Sequence, residues 1–192
     1  PAGFFKLIND SKYATYYKTK PQEHLGGRTN IIPQGNVLGG GTSINAQVYM
    51  RGRQEDYNEW NYILRGNNDS LGWGWEDVFP YFKEMESNSD LDNEYHGKNG
   101  NLKVSNSSYV NELSHDFIST LNNMGVPLTN DFNGKNQNGV GLYQFMNKAG
   151  KRSSAAHAFI DIYKNNPNLN LQLQTKVQKI IIENNKAIGV EF

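Results

Sequence analysis

The sequence predicts an α/β fold that carries an α+β portion. Three observations predict it. Asp77–Ser87 and Val110–Met124 repeat apolar residues at helical spacing, with short strand signals beside them. Residues 169–192 are β-branched and alternating. Near the start, Val37-Leu38 runs into Gly39-Gly40-Gly41 and then Thr42-Ser43-Ile44-Asn45, a glycine turn that can open a helix.

Taken in order, residues 1–32 read as irregular, with Tyr13, Tyr16 and Tyr17 packing under a loop and Gly26-Gly27 marking a turn. Glu55–Asn61 has room for a helical turn or two. After the aromatic break Gly72-Trp73-Gly74-Trp75, the helix Asp77–Ser87 sets Val78, Phe79, Phe82 and Met85 on one stripe. Pro80 then falls in its first turn, where proline is tolerated. Trp73, Trp75 and Phe82 read as core. Asn99-Gly100 is a hairpin signal that leads into a short strand, Leu102–Val104. The helix Val110–Met124 carries Leu113, Phe117, Ile118 and Leu121 as its stripe and ends at Gly125 and Pro127. Asn130–Gly141 is a long polar loop, and Leu142–Met146 reads as a strand. A third helix opens after Gly150, with Ser153 or Ser154 as N-cap and Phe159, Ile160 and Tyr163 facing the core. Leu169, Leu171 and Leu173 alternate as a strand, Leu169–Gln174. Val177–Ile182 and Ala187–Phe192 then form strands joined by a tight turn at Asn184-Asn185.

Composition narrows the function classes. Nineteen basic residues balance nineteen acidic ones, so nothing argues for a nucleic-acid or anionic-membrane surface. No apolar run approaches the length of a membrane span. There is no cysteine, hence no disulfide and no thiolate chemistry. Mean hydropathy is low at −0.72, but aromatics at 12% supply core anchors, which argues against disorder. His24, His96, His115 and His157 are scattered without metal-ligand spacing. His96 reads as a hydrogen-bonding loop residue, with a general base as its other reading. The chain begins with proline and ends at Phe192 within a strand pattern, and it reads as an internal fragment.

The glycine turn carries the chemistry. Gly39, Gly40 and Gly41 permit positive φ and close approach, and the helix opening behind them offers free N–H groups to an anion. On glycines alone, an ordinary turn remains open as the plainer reading. Gly35–Thr42 is one residue away from the phosphate loop G-x-x-x-x-G-K-[ST]. Gly41 occupies the lysine position, which makes a nucleoside triphosphatase a weak reading.

The longer stretch 33–58 resembles the first signature of the glucose-methanol-choline (GMC) flavoprotein oxidoreductases. Gly35, Asn36, Leu38, Gly39, Gly40, Gly41, Thr42, Ile44, Asn45 and Tyr49 fall in place, and Gly52 and Asn58 fit at the far end. The resemblance extends to Thr19-Lys20-Pro21-Gln22, Gly27-Arg28, Tyr95-His96-Gly97 and a Gly-x-Arg-x-Ser step at Gly150, Arg152 and Ser154. It implies a partial FAD-binding, Rossmann-like domain in residues 1–70, a substrate-domain portion in 71–149, and a return to the FAD domain in 150–192. It implies FAD as cofactor, a small-molecule alcohol as hydride donor and a separate electron acceptor. The implied cofactor-binding residues are Gly39, Gly40, Gly41, Asn45, Ala46, Gln47 and Val48, with Val177 meeting the adenine through its main chain. Asn45 offers both a donor and an acceptor to a polar ring edge or a ribityl hydroxyl. Ile44 stands where some members carry the histidine that binds flavin covalently, so the flavin is expected to be noncovalent.

Two departures matter. The family's Pro-Arg-Gly-Lys is Pro33-Gln34-Gly35-Asn36 here, so two positive charges are missing beside the cofactor phosphates. The chain also has no G-x-G-x-x-G, and the family's catalytic histidine has no counterpart among its residues. A hydroxynitrile-lyase-like member and a non-catalytic remnant with a decayed flavin site are the competing readings.

Overall fold

The computed structural model describes residues 3–65 and 72–192. The expected domain boundary at 70/71 lies outside the described residues. The chain divides into two compact units, Pro1–Asp161 and Ile162–Phe192.

The first unit opens with α1 (Phe4–Ile8), followed by β1 (Ala14–Lys18), which pairs antiparallel with β2 (Ile31–Gly35). This stretch is thus more regular than its sequence suggests. Thr15, Tyr16 and Tyr17 favour the extended state, and Ile31 and Ile32 give them a partner of like propensity. The Tyr16 hydroxyl donates to the Ile8 carbonyl at 3.0 Å, while both tyrosine side chains stay exposed rather than packed under a loop. Next come α2 (Gly41–Ile44) and α3 (Gln54–Arg65), then α4 (Trp75–Met85), which leads directly into β3 (Glu86–Asn88). β3 pairs in parallel with β4 (Leu102–Val104), so Asn99-Gly100 is not the hairpin turn its sequence signals, since a hairpin joins antiparallel strands. α5 (Glu112–Asn123) is capped by Asn111, whose side chain accepts from the Leu113 N–H at 3.0 Å. A small antiparallel pair, β5 (Asn147–Lys148) and β6 (Lys151–Arg152), closes on the turn at Ala149-Gly150.

Several expectations shift for identifiable reasons. α4 starts at Trp75 rather than Asp77, because the indole is buried and stacks on Phe79 at 4.9 Å, drawing the first turn inward. Asp77 accepts the Gly74 N–H at 3.0 Å and Asn58 accepts that of Trp75 at 3.0 Å. Pro80 is therefore inside the helix, where it leaves the carbonyl one turn back without a donor. Trp73 is 51% exposed and is not core. The α5 stripe is amphipathic, but Leu113 and Phe117 face solvent. Leu142–Met146 is not a continuous strand. Phe145 makes single bridges to Val48 on one side and Ser105 on the other, stitching two segments without a ladder. The third helix shortens to a single π turn, Ala156–Ile160, which buries Ala156 and Ala158 while Phe159 and Tyr163 stay exposed. Small residues are needed there because the turn lies against the glycine segment described below. The core of this unit is small: Tyr49, Leu102, Val104 and Ala158, with Met85 and Met146 packed against it.

In the second unit Leu169–Gln174 forms no strand. Alternation alone marks two faces, and a strand also needs a paired neighbour. β7 (Lys179–Glu183) and β8 (Lys186–Glu191) form an antiparallel hairpin on Asn184-Asn185, both at positive φ (51° and 60°), the geometry a two-residue hairpin turn requires.

Candidate functional site

The glycine turn follows directly from β2. The Gly40 N–H donates to the Val37 carbonyl at 2.8 Å, and Gly39 and Gly40 both hold positive φ, 88° and 55°. Gly40 pairs that φ with ψ −134°, a combination essentially confined to glycine. Two hydroxyls fasten the turn from within. Thr42 Oγ1 donates to the Gly39 carbonyl at 2.5 Å, and Ser43 Oγ to the Leu38 carbonyl at 2.8 Å. α2 is only one turn long, so too few peptide dipoles align to build the anion-favouring field expected at a helix start. The turn acts through its shape instead.

A second wall comes from residues far along the chain. The Ala155 N–H donates to Thr42 Oγ1 at 2.9 Å, so one hydroxyl ties both walls. Arg152 Nη1 donates to the Thr42 carbonyl at 3.0 Å and to Asn45 Oδ1 at 2.8 Å. Burial lowers the Arg152 pKa. A Cβ on Gly39 would stand 3.1 Å from the Ala156 Cβ and 2.5 Å from Ser43 Oγ. Behind this wall the Ser153 N–H donates to the Met146 carbonyl at 2.9 Å, and Ser153 Oγ accepts from the Lys103 N–H at 2.9 Å. Ser154 acts as the cap, its Oγ accepting from the His157 N–H at 3.4 Å. The turn is thus packed on one side and open on the other: a Cβ on Gly40 or Gly41 meets no protein atom within 4 Å.

Downstream, Asn45 Oδ1 also accepts the Gln47 N–H at 3.0 Å. Gln47 is buried and holds positive φ at 66°, unusual for a residue with a side chain. Its surroundings over-determine that conformation. Nε2 donates to the Met146 carbonyl at 3.1 Å, and the Gln47 carbonyl accepts from the Met146 N–H at 2.7 Å. Ala46 is half-buried, Val48 is exposed, and Ile44 is buried. The structure therefore brings Gly39, Gly40, Gly41, Asn45, Ala46, Gln47 and Val48 into one stretch backed by residues 145–156. Val177 lies in the second unit, exposed, shortly before β7. Sequence reasoning treated Arg152 only as part of a resemblance. The available signal was electrostatic: with Gln34 and Asn36 uncharged, a cation for this region had to come from elsewhere in the chain.

A second polar cluster is built on β3. Glu86 is completely buried and takes the Arg51 guanidinium on one carboxylate oxygen and His96 Nδ1, at 2.9 Å, on the other. The Gly97 N–H adds a bond at 2.9 Å. His96 Nε2 reaches Asp131 Oδ2 at 2.9 Å. Burial opposes charge on Glu86, His96 and Asp131. In His96 it is outweighed by the bonds to Asp131 and Glu86, so its pKa rises. In Glu86 burial yields to His96 and Arg51, and in Asp131 to His96 and the Asn133 N–H, so both carboxyls fall below their ordinary values. Asn133 completes the arrangement by accepting the Arg51 N–H at 2.9 Å and donating to the Tyr49 carbonyl at 3.0 Å. His96 is thus an imidazolium clamped between two carboxylates, a structural cation with no free nitrogen for base chemistry.

Among the described residues, no group of three His, Asp or Glu side chains could hold a metal ion, and no helix is long and apolar enough to cross a membrane.

Comparison with known proteins gives a consistent answer. A family model described as GMC oxidoreductase matches residues 9–192. An alcohol dehydrogenase [acceptor] of Pseudomonas putida is 38% identical over 100% of this chain and 34% of its own length. An oxygen-dependent choline dehydrogenase of Brucella anthropi is 36% identical, again over 100% of this chain and 34% of its own. Among solved structures, pyridoxine 4-oxidase from Mesorbium loti superposes with a TM-score of 0.88 at 26% identity, covering 99% of this chain and 37% of that one. An FAD-dependent oxidoreductase from Chaetomium thermophilum superposes with a TM-score of 0.83 at 27% identity, over 93% of this chain and 32% of that one. The chain spans about a third of the length of the curated relatives it matches.

Proposed function

Because the chain belongs to the GMC oxidoreductase family, we propose that it is part of an FAD-dependent enzyme that oxidises an alcohol, with Gly39–Val48 as one wall of the flavin site. One observation carries this reading: the glycine turn is buttressed by Ala156 on one side and clear of protein for 4 Å beyond Gly40 and Gly41 on the other. That open, backbone-lined face suits a polar cofactor approaching closely. The donor set also suits a flavin, since Asn45 and the main chain supply neutral hydrogen-bonding groups and Arg152 supplies a positive charge nearby. A bound flavin would supply the acceptor for the hydride that leaves the alcohol carbon. This chain's residues bind and orient it. Gly40 and Gly41 would admit it, Thr42 and Arg152 hold the two walls together, and Gln47 fixes the path of the chain behind Asn45. Val177 is proposed to meet the adenine through its main chain.

The same reading divides the chain into FAD-domain portions at 1–70 and 150–192 and a substrate-domain portion at 71–149. The flavin is proposed to be noncovalent, because the residue before Asn45 is Ile44, a buried hydrocarbon side chain with no nucleophile.

The test is reconstitution. The full-length protein, stripped of flavin and titrated with FAD, is expected to regain a flavin absorbance spectrum that bleaches anaerobically on addition of an alcohol from a panel of primary alcohols, choline and aryl alcohols. Uptake without bleaching by any of them would favour lyase-type chemistry. Failure to take up FAD would mean a non-catalytic remnant.

A further inference from the structure

Asn45 comes directly after α2, and two donors fix its side-chain amide. The Gln47 N–H donates to Oδ1 at 3.0 Å, and Arg152 Nη1 donates to the same atom at 2.8 Å. The oxygen and nitrogen of an amide are alike in size, and only their partners tell them apart. Here the partners admit one solution. A backbone N–H and a guanidinium are donors only, and turning the amide over would set two donors against Nδ2. Among the described residues, Nδ2 itself has no hydrogen-bond partner. The Arg152 guanidinium has no carboxylate within ion-pair distance among the described residues, and Nη1 is committed to Asn45 Oδ1 and the Thr42 carbonyl.

We propose that Asn45 presents a hydrogen-bond donor, and not an acceptor, to an acceptor atom of the flavin, and that Arg152 is the positioning residue that, together with the Gln47 N–H, holds this polarity. The proposal rests on the flavin reading above and deepens it. By sequence Asn45 offers both functions; the tertiary contact with Arg152, 107 residues away, consumes one of them. The ligand group facing Asn45 is then a carbonyl oxygen, an unprotonated ring nitrogen or a phosphate oxygen. A ligand N–H at that place is excluded for want of an acceptor.

The test uses the full-length protein, with FAD affinity measured by quenching of flavin fluorescence on titration of the apoprotein. Asn45→Asp keeps the side-chain shape and both accepted hydrogen bonds, and turns the donor into a charged acceptor. It is expected to melt at or above the temperature of the unsubstituted apoprotein while its Kd for FAD rises on the order of tenfold or more. Arg152→Met removes one of the two donors that hold the amide, leaving the Gln47 N–H alone, and is expected to weaken FAD binding in the Asn45 background but to add little in the Asn45→Asp background. Arg152→Lys, which restores a donor, is expected to recover part of the affinity. Undiminished FAD affinity in Asn45→Asp would overturn the proposal. If that variant failed to fold, the cycle of Arg152→Met with Asn45→Ala decides instead, and additive penalties would overturn it. If the unsubstituted protein took up no FAD, the flavin reading itself would fall, an outcome distinct from the loss of the polarity assignment alone.

Discussion

His96 Nδ1 lies 2.9 Å from Glu86 Oε1, with both side chains fully shielded from solvent. The other carboxylate oxygen of Glu86 carries the Arg51 guanidinium, itself shielded to within 1%. Tyr49, Phe79 and Phe82 surround that guanidinium at 5.6–5.9 Å from their ring centres. One carboxylate therefore pairs with two buried cations from different parts of the chain, and Asp131 supplies the second negative charge through His96. Glu86→Gln is expected to destabilise the protein by about 3–5 kcal/mol, because it leaves the Arg51 guanidinium uncompensated in the interior and His96 with Asp131 alone. Urea unfolding of the full-length protein measures this. An unchanged midpoint would show that the cluster is solvated and not a structural clamp.

The same cluster sets a pH window. His96 has its pKa raised above the ordinary 6.5, so its contribution is complete below that value and is lost as pH climbs through the folded-state pKa. Glu86 and Asp131 are lowered from 4.5 and 3.8, so theirs is complete above those values and is lost as pH falls through the folded-state pKa values. The cluster is thus expected to contribute most between 4.5 and 6.5. The melting temperature should decline on both sides of that window. A profile of His96→Gln that retains the full alkaline decline would assign it to another group.

The glycines of the turn should separate by role. A Cβ on Gly35 would stand 2.4 Å from the Gly40 carbonyl oxygen, a backbone atom that cannot swing aside, so Gly35→Ala should distort the turn even without cofactor. Gly41 is not at positive φ and has open space before it, so Gly41→Ala should leave apoprotein stability within about 0.5 kcal/mol. Gly40→Val should destabilise by about 1–3 kcal/mol through its backbone alone, and should also abolish FAD uptake. Full flavin occupancy in Gly40→Val would reduce residues 33–52 to an ordinary glycine turn.

Thr42 joins the two walls through one oxygen. Thr42→Val keeps the shape but leaves the Gly39 carbonyl and the Ala155 N–H without their partner, at a cost of about 1–3 kcal/mol. Thr42→Ser should recover most of it. A loss confined to Thr42→Ser would point to the methyl group and away from the hydroxyl.

Acid precipitation of the loaded, full-length protein should release its flavin into the supernatant, since Ile44 cannot form a covalent link. Yellow colour retained in the pellet would contradict the noncovalent assignment.

Much of this was legible in the chain, and the reasons differ by element. Leu102–Val104 and the turn at Asn184-Asn185 stand as read, because a short apolar-polar-apolar alternation after Gly100 and an Asn-Asn pair between two apolar strands are local signals. α4 and α5 were legible as helices by periodicity, but not in their ends or exposure. Burial of Trp75 extends α4, and nothing in the spacing of Leu113 and Phe117 tells a reader whether another element covers them. Leu142–Met146 carries strand composition yet makes only isolated bridges, because its neighbours on either side meet it at one residue.

The sequence by itself determined the family, the glycine turn and the residues that line it, because a motif held by backbone sterics is written in consecutive residues. Only the tertiary structure decided the rest. His96 became a buried cation through Glu86 and Asp131, which approach it from other segments of the chain. Asn45 lost its acceptor to Arg152, and Gly39 was closed off by Ala156 while Gly40 stayed open. The charge state of a histidine and the free atom of an amide depend on which groups lie within a few ångströms, and folding sets those distances between residues that sequence order keeps apart.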